Sequence, residues 1–206
     1  MKIIGLCGGS GSGKGTVSKI FLEFDIPSID TDYVYREMTT TPSPCLDALV
    51  SEFGDSILSS DGRLDRKKLS GLVFVGEGSE KRRKTLNEIT HFFILKETRS
   101  RLLKYEKEGK IAAIVDAPLL FESGFDKECD EVICVISDRE RRIERIVSRD
   151  GISRDAAEQR INSQISDEEL VSRSNYVITN NADISSLRSQ IYVIANKIKN
   201  NMKGDI

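Results

Sequence analysis

A glycine-rich stretch near the beginning of the chain has the residue types and spacing needed to hold phosphate groups. Residues 8–14 read GGSGSGK and fit the pattern G-x-x-x-x-G-K. Glycines allow tight turns that bring backbone N–H groups close to phosphate oxygens, and the ammonium of Lys14 can lie between the terminal phosphates. An apolar run precedes the stretch and a helical pattern follows it. The sequence therefore predicts a phosphate-binding loop between a strand and a helix, the alternative being a glycine-rich turn in another kind of α/β protein.

The residue after the lysine departs from the usual pattern. Gly15 stands where such loops place a serine or threonine hydroxyl on Mg²⁺, and Thr16 supplies a hydroxyl one residue later. Because Mg²⁺ gives up its waters reluctantly, it could be held mainly by ATP oxygens and waters. Thr16 and Asp116 are then candidate partners of the hydrated metal. Asp116 ends an apolar segment, and its alternative role is that of a turn residue at the end of a strand.

Two aspartates at the end of another apolar segment are candidates for acid–base chemistry. Residues 29–32 read IDTD. A hydroxyl that accepts a phosphoryl group must lose its proton, and a carboxylate near the attacking oxygen can take it. Ligands of open α/β sheets bind at the carboxyl ends of strands, so we expect Asp30 and Asp32 to face the same crevice as the loop. Residue type leaves open which of the two is the base, and whether Asp32 instead caps a helix predicted at residues 33–38.

Short apolar segments alternate with helical patterns over much of the chain. The predicted strands are Lys2–Cys7, Ile26–Ile29, Ile111–Val115, Glu131–Ile136 and Tyr176–Thr179. Strands that alternate with helices indicate a parallel sheet with right-handed crossovers, so the predicted fold class is α/β, a five-stranded parallel sheet flanked by helices.

Residues 35–110 interrupt this alternation. They contain no convincing strand pattern, and a long charged helical pattern runs from Ser79 to Gly109. We interpret them as a helical insertion into a core formed by residues 1–34 and 111–206. The last twenty residues predict a closing helix that frays at 200–206.

Composition restricts the partners and the compartment. The 206 residues include 31 basic and 33 acidic side chains, a net charge of −2, which gives no general attraction to nucleic acid or to anionic membranes. No apolar run approaches the roughly 18 residues that span a bilayer, and the first apolar run is too short for a signal peptide. The four cysteines form no CxxC pair, and Cys7 and Cys134 are expected to be buried thiols. We therefore expect a cytoplasmic protein, either a monomer or a small homo-oligomer.

Over its whole length the chain resembles the dephospho-CoA kinases, a family of phosphate-loop kinases. IDTD, DGRLDR and APLLFE in this order are much more specific than the loop alone. The matching residues are GGSGSGKGTV at 8–17, IDTD at 29–32, FG at 53–54, DGRLDRKKL at 61–69 followed by Val73-Phe74, His91, DAPLLFESG at 116–124, RIVSRDG at 145–151 and YVITNN at 176–181.

The resemblance implies transfer of the ATP γ-phosphoryl group to the ribose 3′-hydroxyl of dephospho-CoA, with Mg²⁺ as the cofactor. The partners would be ATP and dephospho-CoA, with no nucleic acid and no membrane. By position, Asp32 matches the catalytic base of the family and residues 35–110 match its CoA-binding region. Lys14 would also be catalytic, and the ATP loop would comprise Gly11, Ser12, Gly13, Lys14, Gly15 and Thr16.

Arginines recur at helical spacing between residues 138 and 150. Arg142, Arg145 and Arg149 fall on one face, and arginines closing over ATP would neutralise the transferring group and exclude water. The alternative is a solvated face paired with Glu140 and Glu144. The resemblance favours a catalytic role for Arg145, an ATP contact for Arg149 and a lid at about residues 138–170. We expect Arg139, Arg141 and Arg142 to lie on the surface.

The resemblance also implies substrate contacts at His91, Pro118 and Leu119. His91 is the single histidine of the chain, and a lone histidine beside apolar residues usually has a structural role. Pro118 and Leu119 follow the third predicted strand, and we expect them to wall the acceptor crevice, the alternative being a buried crossover loop.

The chain departs from the family pattern at three places, and three other functions are alternatives. Gly15 replaces serine, Phe92 replaces proline, and Ser174-Asn175 replace Ala-Asp. A nucleoside monophosphate kinase would also carry GKGT and an arginine lid, but it does not explain the paired aspartates. A GTPase switch should carry N-K-x-D, whereas Asn196-Lys197 lies in the terminal helix without the aspartate. A non-catalytic nucleotide-binding module is the third alternative, and Gly15 is its best support.

Overall fold

The structure is a computed structural model that describes residues 1–201. Five strands form one sheet in the order β2-β3-β1-β4-β5, and every neighbouring pair is parallel. The predicted α/β fold, a parallel five-stranded sheet flanked by helices, is therefore confirmed. The strands are β1 Lys2–Cys7, β2 Ser28–Asp30, β3 Ala112–Asp116, β4 Glu131–Ile136 and β5 Tyr176–Thr179.

Two strands lie slightly later in the chain than the sequence predicts. β2 was expected at residues 26–29 and β3 at 111–115, but both extend to an aspartate. Pro27 has no N–H that could donate a hydrogen bond to a neighbouring strand, and pairing begins with Ser28 opposite Ile114. Asp30 and Asp116 are consequently partners in the register and share the carboxyl end of the sheet.

The helices lie between the strands along the chain and after the last of them. Within the described residues they are α1 Lys14–Glu23, α2 Thr31–Thr40, α3 Pro44–Phe53, α4 Arg66–Phe74, α5 Ser79–Lys107, α6 Arg139–Asp150, α7 Arg154–Asn162, α8 Asp167–Ser172 and α9 Ile184–Asn201, with short 3-10 turns at Asp55–Ile57 and Phe125–Glu128. No helix among residues 1–201 is both long and apolar enough to cross a membrane. Of the predicted fraying at 200–206, residues 202–206 lie outside the described part of the chain.

The main core lies between the sheet, α1 and α9. All five residues of β3 are buried, as expected for a parallel strand covered on both faces. Val17 and Phe21 of α1 and Ile191 of α9 pack in the same cluster as Ile114. Cys7 and Cys134 are buried and free, as expected.

The chain divides into two compact units. The first contains residues 1–30 and the chain from residue 102 onward, and the second is residues 31–101. The second unit is built from helices around its own apolar cluster, formed by Cys45, Leu49, Ile57, Leu69 and Val73. Helix α5 begins in the second unit and ends at Lys107. Gly109 follows it with a φ of 77°, a conformation that favours glycine, so the stop predicted at Gly109 is confirmed.

Candidate active site

The loop between β1 and α1 requires glycine at several positions. Gly8, Gly11 and Gly13 have φ values of 145°, 78° and 100°, where a side chain would strain the backbone. There is also no room for one, because a Cβ on Gly11 would lie 2.6 Å from the carbonyl oxygen of Arg142. The loop therefore packs directly against the backbone of α6.

Side chains from distant parts of the chain hold three successive carbonyl groups of this loop. Arg142 Nε donates to Ser10 O at 2.9 Å, Arg145 Nη1 to Gly11 O at 3.0 Å, and Asn180 Nδ2 to Ser12 O at 2.8 Å. In a trans peptide the N–H of the next residue points the opposite way from the carbonyl. The N–H group that follows Ser10 is thus directed away from Arg142, and the one that follows Ser12 is directed away from Asn180.

Lys14 and Asp116 are brought together at this end of the sheet. The Lys14 Nζ donates to Gly8 O at 3.1 Å and lies 3.9 Å from a carboxylate oxygen of Asp116. Both side chains are largely buried, at 15% and 12% exposure, so their electrostatic interaction is screened less than a surface pair would be. The lysine of the phosphate loop and the aspartate that ends β3 therefore form one charged pair beside the loop.

The residues at this end fit a Mg²⁺ ion that arrives with a nucleotide. Mg²⁺ usually keeps several waters and takes one or two carboxylates together with substrate phosphates. Asp116 supplies a carboxylate in the place where phosphate-loop enzymes use one. Thr16 is exposed in the first turn of α1, and so is Gly15, around whose Cβ position there is nothing within 4 Å. Space for a hydrated metal is thus available beside the first turn of α1.

Arg142 is not on the surface, so that expectation is wrong. The residue is only 5% exposed, and its Nη1 contacts both carboxylate oxygens of Asp167 at 3.0 and 3.1 Å. It shares the buried face of α6 with Ile143 and Ile146. A charged side chain can occupy that face because α8 supplies the compensating carboxylate.

The other two arginines of the predicted face differ from each other. Arg145 is half-buried and donates to loop carbonyls, to Ser137 Oγ at 3.1 Å and to Asn180 O at 3.0 Å. Arg149 is exposed and pairs with Asp150 at 2.7 Å. The hydrogen bond from Arg149, with a second one from Arg160, holds the pKa of Asp150 well below its usual range. The described contacts bring Arg145, and not Arg149, to the loop.

Pro118 and Leu119 lie beside the loop. They line a cavity of about 110 Å³ together with Gly8, Gly9 and Gln164. Both are exposed, whereas the next two residues are buried, so the segment is open to solvent only at its beginning. Gln164, which also lines this cavity, accepts the N–H of Ser10 through Oε1 at 2.8 Å.

Asp32 and His91 belong to the second unit, residues 31–101. Helix α2 begins at Thr31, two residues earlier than predicted, so Asp32 is in its first turn and does not precede the helix. A carboxylate there is favoured by the helix dipole, and the side chain is exposed. His91 is half-buried on α5 and lines a charged surface pocket with Arg83, Lys84 and neighbouring side chains.

Comparison with known proteins decides the family. The model of the dephospho-CoA kinase family matches residues 2–186. The chain belongs to the dephospho-CoA kinase family. A dephospho-CoA kinase of Fusobacterium nucleatum is 42% identical and covers 92% of this chain and 94% of its own, and one of Bacillus cereus is 40% identical over 93% and 94%. The solved dephospho-CoA kinase of Campylobacter jejuni is 27% identical over 100% of both chains, with a TM-score of 0.71.

Two of the three departures from the dephospho-CoA kinase pattern, at Phe92 and at Ser174-Asn175, make local contacts in the structure. Phe92 is 61% exposed and meets Phe93 edge-on at 5.1 Å between ring centroids. Asn175 accepts the N–H of Val132 at 2.7 Å through its side chain. Asn175 thereby prolongs the pairing of β4 and β5, and Ser174 Oγ donates to Leu170 O at 2.7 Å.

Reasoning from the sequence missed three residues of the loop's surroundings. Asn180 lies in the matching stretch YVITNN, but no function is predicted for it from the sequence, and none is predicted for Gln164. Arg142 was assigned to the surface. The burial of Arg142 could have been suspected from its place next to Ile143 in the helical pattern, but its partner Asp167 is 25 residues away in another helix.

Proposed function

We propose that this member of the dephospho-CoA kinase family transfers the γ-phosphoryl group of ATP to the ribose 3′-hydroxyl of dephospho-CoA, giving CoA and ADP in the last step of coenzyme A biosynthesis. The observation that carries the proposal is the position of Lys14, which crosses a glycine loop to reach Asp116 in a chain of this family. The choice of acceptor is supported by relatives that are named dephospho-CoA kinase and that match more than nine-tenths of this chain.

On the nucleotide side, residues 11–16 bind the phosphates of ATP. Backbone N–H groups of the loop meet phosphate oxygens, and Lys14 balances the charge that spreads over the transferring group. Mg²⁺, held by ATP oxygens and waters, would be oriented by Asp116 and Thr16 and would supply further charge neutralisation. Arg145 adds positive charge beside the loop, and Arg149 would contact ATP from a lid at about residues 138–170.

On the acceptor side, Asp32 acts as the general base. The proton of the 3′-hydroxyl moves to the Asp32 carboxylate as the oxygen attacks the γ-phosphorus. The bond from phosphorus to the bridging oxygen breaks, and ADP leaves with that electron pair. His91, Pro118 and Leu119 would contact dephospho-CoA, and the helical insertion at residues 35–110 would bind its CoA portion. The acceptor hydroxyl must reach the γ-phosphorus of ATP for transfer to occur. Closure of the lid would exclude water from this step.

Location and assembly remain predictions from the sequence. The four cysteines are free thiols, which supports a reducing compartment such as the cytoplasm. A monomer or a small homo-oligomer is proposed, with ATP and dephospho-CoA as its partners.

The test is ADP release by the purified protein with dephospho-CoA, with AMP or with no acceptor. We expect rapid release with dephospho-CoA alone, its loss when Mg²⁺ is chelated, and recovery when the metal is returned. Release with AMP and not with dephospho-CoA would overturn the acceptor in favour of a nucleoside monophosphate kinase. Binding of ATP with no release for any acceptor would indicate the non-catalytic alternative.

A further inference from the structure

Arg142 is bonded to the phosphate loop and to α8 at the same time. Its Nε donates to Ser10 O at 2.9 Å, and its Nη1 contacts both oxygens of Asp167. The guanidinium is planar and keeps its charge at any pH that a protein survives, so this set of partners fixes its orientation. A buried arginine held in one orientation can in turn fix the peptide group that it contacts.

Ser10 is held on both of its backbone polar groups. Its carbonyl accepts from Arg142, and its N–H donates to Gln164 Oε1 at 2.8 Å. The Gln164 oxygen also lies 3.4 Å from Arg142 Nη2, which links the two contacts. The peptide that follows Ser10 is therefore fixed from the side of α6 and α8, and its N–H, on Gly11, is directed to the opposite side.

Gly9 shows how closely the guanidinium approaches the loop. Unlike Gly8, Gly11 and Gly13, Gly9 does not have a φ in the left-handed region. Its backbone would accept alanine, but an added Cβ would lie 2.7 Å from Arg142 Cζ and closer still to Nη2. Since Arg142 is held by Ser10 and Asp167, it cannot swing away without losing those bonds. At this position glycine is required by the neighbouring arginine and not by the conformation of the chain.

We propose that Arg142 is a positioning residue: it holds the phosphate loop in its nucleotide-binding shape and connects that shape to α8 through Asp167. It acts through the backbone of the loop and does not touch the transferring group. The inference rests on the proposed function in one respect only, that the loop binds ATP; it does not depend on the identity of the acceptor.

The first measurement is ATP binding by titration calorimetry without acceptor, on the full chain. Arg142→Gln removes a charged, buried set of hydrogen bonds, and we expect it to weaken ATP binding roughly 10- to 100-fold. Arg142→Lys keeps the positive charge but loses the planar guanidinium with its several donors. Its ATP affinity should lie between those of the wild type and Arg142→Gln. Arg141→Gln is the matched control, since Arg141 is on the same helix, exposed, and 4.0 Å from Asp138, so its ATP affinity should be unchanged.

The second measurement tests direct contact by a double substitution. Gly9→Ala alone should weaken ATP binding, because the new methyl group displaces Arg142. In an Arg142→Ala background the same change should add little further loss, because the obstructing side chain has gone. Equal losses from Gly9→Ala in both backgrounds would overturn the inference, as would unchanged ATP affinity in folded Arg142→Gln.

Hydrogen exchange of the peptide covering residues 8–14 provides a readout without nucleotide. Faster exchange there in Arg142→Lys and Asp167→Asn, with unchanged exchange in β3, supports positioning of the loop. Uniformly faster exchange throughout the chain would mean general destabilisation and would contradict it. If the wild type binds ATP but does not phosphorylate dephospho-CoA, the proposed function fails while these binding results still decide the role of Arg142.

Discussion

The phosphate loop and the helical unit at residues 31–101 are stabilised in different ways. The loop depends on partners far along the chain, since Arg142, Gln164 and Asn180 are 132 to 168 residues from the loop residues that they contact. In the helical unit, threonines such as Thr90 donate to carbonyls four residues earlier in their own helix, and an apolar cluster supplies the packing.

This difference indicates which substitutions should alter nucleotide binding and which should alter turnover. The shape of the loop is distributed over α6, α8 and the residue after β5, so substitutions remote from it in sequence should alter nucleotide binding. The proposed base, Asp32, lies in the first turn of α2, in the helical unit, and its proposed role concerns the acceptor and not the nucleotide. Removing the base should therefore affect turnover and leave nucleotide binding intact.

The largest effect is expected from Asp32→Asn. The amide cannot take the proton of the acceptor hydroxyl, so turnover should fall by roughly 10²–10⁴ while ATP affinity is retained. Steady-state kinetics and ATP titration measure the two properties separately. Asp47→Asn, an exposed carboxylate in the first turn of α3, is the matched control and should be unaffected. If Asp30→Asn were impaired and Asp32→Asn were not, the role of base would move to Asp30.

Lys14→Gln should affect both properties. It removes the ammonium that lies between the loop and Asp116, and turnover should fall by roughly 10²–10³, the range for losing one group that stabilises transition-state charge. ATP binding should weaken as well, unlike in Asp32→Asn. Lys19→Gln, an exposed lysine of the same helix, controls for loss of charge. Wild-type turnover in Lys14→Gln would contradict the nucleotide site proposed here.

A smaller effect should follow from Gly15→Ser. Apart from the neighbouring residues and the backbone of α1 itself, no atom lies within 4 Å of the Cβ position, so the side chain fits and offers its hydroxyl near the proposed metal site. We expect severalfold less Mg²⁺ to be needed for half-maximal activity, measured by metal titration at fixed ATP. Gly15→Ala adds the Cβ and the helix propensity without the hydroxyl, and should leave the Mg²⁺ requirement unchanged. The same shift in both variants would rule out a direct effect of the hydroxyl on the metal.

The smallest effect concerns pH and the apolar cluster of the helical unit. Burial raises the pKa of the Cys45 thiol to about 11, from an ordinary value of 9.0. Because the folded state holds this proton more tightly than the unfolded state, the thiol contributes stability that is fully present below pH 9. This contribution is lost as pH rises towards 11. Over that window the free energy of unfolding should fall by up to about 1.4 kcal/mol per pH unit from this group. Urea unfolding of Cys45→Ala should show a shallower decline, and parallel profiles for the two proteins would refute the assignment.

Much of the fold could be predicted because apolar segments and glycines act locally. β1, β4 and β5 have the predicted bounds, and the α5 stop at Gly109 follows from a conformation that glycine adopts readily. The ends of β2 and β3 could not be fixed, since they depend on the register between two strands about 85 residues apart in the chain. The start of α2 was missed because Thr and Asp suit either a cap or a first turn.

The candidate site was predictable where one strand end or one loop determines it. Asp116 was expected beside the phosphate loop, as a partner of the hydrated metal, because ligands of open α/β sheets bind at the carboxyl ends of strands. Arg142 and Asn180 were not, because each finds its partner only after α6, α8 and β5 have packed. Spacing along α6 identifies a face with three arginines, but it does not reveal which of them is buried.

Phosphorus NMR of the product tests the central claim most directly. After incubation with ATP, Mg²⁺ and dephospho-CoA, the proposed reaction predicts one new phosphate monoester signal that couples to the ribose 3′-proton, in an amount equal to the ADP formed. A new signal coupled to another hydroxyl position, or a lengthened phosphate chain without a monoester, would contradict it.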